Sequence, residues 1–187
     1  MSGRIERLAL DELPDDLRTA LEPRVQRLGY LGEFFRCAGH QPAALRSFMA
    51  FTDDLKAALP DDLTEVVALT VAATTGNDYE RHQHERLCLR LGFGENWIRG
   101  VLALAPAGHG SADVLDATQQ VVQDLTIELL ADHGRGAAAA LDHLVGVVGQ
   151  EVAIGVLLLV GRYQAHAVVV NALGLAPPVP SPLGHPA

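Results

Sequence analysis

The chain has 187 residues, 49% of them hydrophobic, and 14 Lys and Arg against 23 Asp and Glu give a formal net charge of −9. That length suits one domain with a sizeable core, and basic residues scattered singly along an acidic chain argue against nucleic acid as a partner. The most apolar region, 152–170, is interrupted by Arg162, Gln164 and His166 and falls short of the ~18–20 uninterrupted apolar residues of a membrane span, so no membrane partner is expected.

Residues 1–20 are charged and proline-interrupted and do not resemble a signal peptide, which sets the expectation of a cytoplasmic protein. Two short helices are predicted over 15–28 and 32–38, parted by Gly29. Pro42 opens the next, whose buried stripe is Leu45, Phe48, Met49, Thr52 and Leu55, and Pro60 ends it. Helices over 61–76 and 78–91 follow, joined at Gly76-Asn77, the second closed by Gly92. A short helix over 95–104 leads to a loop at 106–111. The span 112–132 reads as a long amphipathic helix with Val114, Leu115, Thr118, Val121, Val122, Leu125 and Leu129 on its apolar side. Gly134 and Gly136 separate it from 137–148. The last helix, 150–173, is apolar nearly all round, so it is expected to be buried or sandwiched between subunits. No run alternates with period two. The expectation is an all-α fold with one domain over 1–175 and a proline-rich, flexible tail over 176–187.

One helix carries an anomaly. At about 100° per residue, Glu80, His84, Leu87, Cys88 and Leu91 fall in a single stripe. The Leu/Cys end is core, and following the stripe back buries a carboxylate and an imidazole four residues apart, close enough to interact. Buried ionisable groups need partners and have shifted pKa values. The pair reads either as a carboxylate orienting a proton-moving imidazole or as a hydrogen-bonded pair that only stabilises the helix. Glu65 heads a stripe of small residues, Leu69, Ala72, Ala73 and Gly76, against which the next helix can pack closely. That would carry Glu65 towards His84 or Glu80. Asp62-Leu63-Thr64-Glu65 also fits a capping box with Glu65 at its third helical position, the reading that spacing alone favours.

Other polar residues narrow the chemistry. His82 and His84 point roughly 160° apart on a helix and cannot chelate one ion, so no metal is expected and His82 reads as a surface residue. Tyr163 and His166 form a second polar spot, lining a pocket or, by preference, facing a subunit interface. Arg162 is a candidate for a substrate carboxylate, with an ordinary ion pair as its default. His40, His109, His133, His143 and His185 carry no signal. Cys37 and Cys88 form no CxxC pair and read as small core residues. The one lysine, Lys56, looks exposed, and no phosphate loop or G-x-S-x-G is present, so nucleotide, serine-hydrolase and Schiff-base chemistry lose support.

The run Glu65-x3-Leu69 through Tyr79-Glu80-x3-His84-x7-Gly92 resembles the carboxymuconolactone decarboxylase and alkylhydroperoxidase-D-like family. Phe34 through Pro42 upstream, and Gly161-Arg162-Tyr163 and Asn171-Ala172-Leu173-Gly174 downstream, extend the likeness over about 28–175. The resemblance implies an all-α fold assembling as a homotrimer or homohexamer. The family's peroxidase branch has a C-x-x-C whose positions are here Asn77 and Glu80, so thiol chemistry lacks its nucleophile and resolving thiol. The Tyr-Glu-x3-His form is similar to the decarboxylase branch, which acts without a cofactor on a carboxylated lactone from aromatic-ring degradation. The resemblance then implies His84, Glu80 and Glu65 as the catalytic group, with Tyr79, Asn77, Arg81, Tyr163 and His166 around a small-molecule substrate. Arg81 stands where that branch often has tryptophan.

Overall fold

The computed structural model describes residues 5–105 and 114–184. The predicted loop at 106–111, the first two residues of the helix expected from 112, and His185 lie outside them. Every regular element described is helical: a 3-10 turn at Leu10–Glu12, then α1 (Asp15–Leu28), α2 (Glu33–Ala38), α3 (Pro42–Ala58), α4 (Asp61–Thr75), α5 (Asp78–Leu91), α6 (Glu95–Leu102), α7 (Ala117–Ala131) and α8 (Ala138–Leu173).

α4 is the central helix. Ten consecutive residues, Leu63 to Ala72, are buried, and the helix packs on α5, α6, α7 and α8. The near-continuous apolar run Val66-Val67-Ala68-Leu69 suits a helix covered on all sides. The last helix was expected to be covered either in this way or between subunits. α8 presents Ile154, Leu158, Val168 and Val169 to the outside, with Val168 64% exposed. α8 spans both predicted C-terminal helices but breaks where they were divided, at Gly149 (φ 81°, ψ 167°), a conformation that suits glycine.

α7 starts later than its apolar pattern suggested. Asp116 accepts from Gln119 N at 2.8 Å while Gln119 Oε1 accepts from Asp116 N at 3.2 Å, and this capping box begins the helix at Ala117. Its buried face includes Gln119, Gln120 and Gln123. Gln123 is accommodated because its amide donates to Thr70 Oγ1 and to the carbonyl of Val101.

The apolar interior is in two parts. One surrounds α4 and holds Cys88, Leu159 and Tyr163. The other gathers Leu13, Leu17, Leu21, Phe34, Cys37, Leu45 and Met49 from the N-terminal helices against Tyr79 and Val170. α5 and α8 contribute to both parts, so their polar residues meet at the seam.

The C-terminal residues after Leu175 are non-helical and run along α5 and α6. His82 Nδ1 lies 3.1 Å from Val179 O, Arg86 Nε donates to Pro180 O, Ser181 Oγ donates to Glu85 Oε2 at 2.5 Å, and Arg99 donates to Leu183 O. His82 is thereby half-covered rather than open to solvent.

Candidate active site

The turn between α4 and α5 sets the site. Gly76 takes a left-handed conformation (φ 63°) and ends α4. Asn77 then caps α5 by accepting from Glu80 N at 3.2 Å. The tight connection lays α5 back along α4, and Glu65 meets His84 across the interface: Nδ1 donates to Glu65 Oε2 at 2.6 Å. The capping-box reading of Glu65 does not hold. α4 begins at Asp61 behind Pro60, so Glu65 sits in the second turn of a central helix and points inward, 2% exposed.

Glu80 lies on the other side of the imidazole, its Oε2 3.1 Å from His84 Nε2. Its Oε1 is 2.9 Å from His166 Nδ1 and 3.6 Å from Arg162 Nη1. Neither contact is directed as a hydrogen bond, and both of these nitrogens are buried without a hydrogen-bond partner. The Tyr163 hydroxyl is 3.3 Å from His84 Nε2, and its ring packs edge-on to the imidazole. Cys88 Sγ donates to Glu65 Oε2 at 3.4 Å. Arg162 is steadied by Nε donating to Thr52 Oγ1 at 2.9 Å and by lying over the rings of Phe48 and Tyr163.

Burial alone would push Glu80 up, but His166, His84 and Arg162 overcome it and hold the carboxyl well below its ordinary range. Glu65 is likewise lowered, with burial opposed by His84, Lys56 and Cys88. For His84, burial favours the neutral ring, but Glu65 and Glu80 outweigh it and raise the imidazole above its ordinary value. The two carboxylates therefore favour the imidazolium form of the ring between them. Burial and the neighbouring Glu65 push the Cys88 thiol far up, so it is a poor thiolate.

His84 and Glu80 open onto a cleft of about 280 Å³, at the small end for a ligand site. Tyr79 and His166 line it as well. His166 is 3% exposed within the subunit, so it faces this site rather than an interface. Tyr163 lies behind His84, outside the cleft lining. Asn77 is the α5 cap, and Arg81, one residue and about 100° past Glu80, turns away to pair with Asp78 at 2.7 Å and approach Glu85 at 4.0 Å. Neither borders the cleft. Leu91, placed in the same stripe as His84, is 40% exposed.

The charge of the cleft was not visible in the chain order. Arg24, Arg27, Lys56, Arg86, Arg90 and Arg162 line it against only Asp53 and Glu80. These cations come from α1, α3, α5 and α8, which explains why no basic run marks them. Lys56, expected to be exposed, is half-buried there. Among the described residues no three His, Cys, Asp or Glu side chains are arranged to hold a metal ion.

Residues 42–123, from the start of α3 into α7, match the carboxymuconolactone decarboxylase family. Over that segment, a little under half of its length, the chain is similar to that family. The segment matched contains Lys56, Glu65, Glu80 and His84, while Arg162, Tyr163 and His166 lie beyond it. The fold recurs in an uncharacterised peroxidase-related protein with an alkylhydroperoxidase AhpD core from Ralstonia eutropha JMP134, at 17% identity and a TM-score of 0.80 over 95% of this chain and 93% of that one. A peroxidase-related protein from Silicibacter sp. TM1040 is similar at 18% identity and a TM-score of 0.76, covering 94% of this chain and 92% of that one. A variant of the debrominase Bmp8, in complex with 2,3,4-tribromopyrrole, aligns at 14% identity with a TM-score of 0.76, again covering 94% and 92%. No curated protein matches the chain. At these identities the likeness is one of fold alone, and the chemistry must be argued from the site.

Proposed function

We propose that the chain is a cofactor-free acid–base enzyme that decarboxylates, or moves a proton on, a small carboxylated or oxidised ring compound. The observation carrying this reading is the buried Glu65–His84–Glu80 cluster opening onto a cation-lined cleft. The cations suit a carboxylate, and Arg162 and His166, which flank Glu80 at 3.6 and 2.9 Å, line the cleft where a ligand oxygen would meet them. Loss of CO2 from such a substrate leaves its bonding pair on carbon. The His84 imidazolium stabilises that charge and then delivers its proton to the carbon. Glu65, held ionised, orients the ring through Nδ1 and supports its positive charge, as a positioning carboxylate does in a hydrolase triad. Glu80, also ionised, offers the return path for a proton at Nε2.

A thiol-dependent hydroperoxide reductase is the competing activity. Against it stand the raised Cys88 thiol, whose hydrogen bond goes to a carboxylate, and Cys37, which belongs to the other part of the core. A non-catalytic, ligand-binding protein is the third reading.

The deciding experiment is turnover of enzymatically generated 4-carboxymuconolactone by wild type and His84→Ala. Decarboxylation by wild type alone is expected. No turnover by either excludes that lactone. If a panel of carboxylated rings also gives no turnover, while some of them bind, the enzyme reading falls in favour of a binding protein.

We also propose that the apolar strip Ile154, Leu158, Val168 and Val169 on α8 is where copies associate as a homotrimer or homohexamer. Side chains of this type, 39–64% exposed along one helix, are more than scattered surface residues.

A further inference from the structure

Lys56 is the chain's one lysine, and beyond adding to the charge of the cleft it takes no part in the proton transfers proposed above. It sits in the last turn of α3, half-buried, and lines the cleft with Glu80, His84 and Arg162. Among the described residues it makes no hydrogen bond and no ion pair within 4.0 Å. A structural lysine in such a place is expected to have a carboxylate partner, because an ammonium loses hydration on burial. Asp53 is on the same helix but pairs with Arg24 at 3.8 Å, and Glu65 and Glu80 are engaged by His84, His166 and Arg162. The ε-amino group thus stands unpaired beside an acid–base cluster and the anion-binding arginines.

We propose that Lys56 is a nucleophilic amine that forms a reversible imine with a small aldehyde or ketone carrying a carboxylate. The carboxylate is held by Arg162, and the carbonyl carbon faces the amine. The nitrogen lone pair forms the C–N bond, and a proton passes from nitrogen to the former carbonyl oxygen, giving a carbinolamine. A second proton, from solution, lets that oxygen leave as water and a protonated imine remains; hydrolysis reverses every step. Burial lowers the lysine pKa, and the charges of Arg162 and Arg24 lower it further, while Glu65 and Glu80 oppose them. The net downward direction favours the free amine that the first step needs. The class of ligand goes beyond the acid–base reading and does not require it. Where both operate, the protonated imine is an electron sink for the pair released on decarboxylation.

The test is reductive trapping on the full-length protein at pH 7 with glyoxylate and cyanoborohydride, followed by intact mass and peptide mapping. The chain has only two kinds of amine, Lys56 and the α-amino group, so the second serves as the internal reference. The expected result is Lys56 labelling about tenfold faster than in urea-unfolded protein, with a rate that saturates in glyoxylate because the carboxylate binds first. Acetate should slow it by competition. Labelling at the α-amino group should stay linear in glyoxylate, and Lys56→Arg should lose the adduct while keeping its helical circular dichroism. Labelling of Lys56 no faster in the folded than in the unfolded chain, or linear in glyoxylate, overturns the proposal. Acetate binding without any Lys56 adduct also overturns it, leaving the lysine as a charge that holds anions. Wild type alone decides the matter if Lys56→Arg fails to fold. His84→Ala separates the two readings, since it should abolish proton transfer to carbon yet leave trapping at Lys56.

Discussion

At the level of single residues, His84 is held by two carboxylates of different origin. Glu80 is its neighbour one helical turn away, and Glu65 reaches it from α4 at 2.6 Å. Removing the second should expose how much of the imidazolium it supports. Glu65→Gln is expected to lower the His84 titration midpoint, followed through the ring proton and nitrogen resonances by NMR. An unchanged midpoint would mean that Glu80 alone sets it. The stability consequence has a definite sign. His84 titrates above its ordinary value in the folded protein, so its contribution is complete below about pH 6.5, its unfolded value. It is lost as pH rises through the higher folded value. Wild type should therefore lose stability as pH rises through that window, measured by urea denaturation, and Glu65→Gln should show a flatter profile. Cys88 gives a second test. With its thiol pushed far up and fully buried, it should resist iodoacetamide at pH 8 in the folded protein and react readily in urea. Fast alkylation in the native state would reopen the peroxidase reading.

At the level of elements, the α4–α5 connection does the positioning. The left-handed Gly76 and the Asn77 cap turn one helix back on the other, and the small side chains Ala72 and Ala73 lie just before that turn. Asn77→Ala should cost about 1 kcal/mol in stability, measured by thermal or urea unfolding. Turnover by the folded fraction should change little, because the side chain contacts the Glu80 amide and not the cleft. A large fall in kcat with unchanged stability would instead give Asn77 a role at the substrate. The same connection was readable in advance from Gly76-Asn77, and so was the Glu80–His84 pair. Glu65 was legible only as two alternatives, a helix cap or a partner of His84 or Glu80, because a capping-box pattern and a buried relay position can share one local sequence. Only the start of α4 at Asp61 separates them. The glutamine face of α7 was hidden for a related reason. Gln123 is polar by composition and core by environment, since its hydrogen bonds come from α4 and α6.

At the level of the whole molecule, a chain of net charge −9 gathers six cations around one cleft. Such a field concentrates small anions locally and is screened by salt. Binding of an anionic ring compound is expected to weaken as ionic strength rises from about 10 to 500 mM, where the Debye length contracts several-fold, by isothermal titration calorimetry. Salt-independent affinity would argue that the arginines are structural. α8 supplies the other molecular-scale test. Val168→Asp, at a position 64% exposed, should leave the helical circular dichroism unchanged while shifting sedimentation toward the monomer. An unchanged sedimentation coefficient would place the contact between copies elsewhere.

The all-α class, most helix limits and the Glu80–His84 pair were determined by the sequence itself, because they depend on the 3.6-residue repeat, on caps and on glycine and proline punctuation, all of them local. What only the tertiary structure decided are the relations between distant segments. Glu65 became a ligand of His84 instead of a helix cap, and Arg162 and His166 came to flank Glu80 from more than eighty residues away. Arg24, Arg27, Lys56, Arg86 and Arg90 turned from isolated charges into one electrostatic field. Charges on four helices carry no common period along the chain, and their sum exists only once packing has brought those helices to the same cleft.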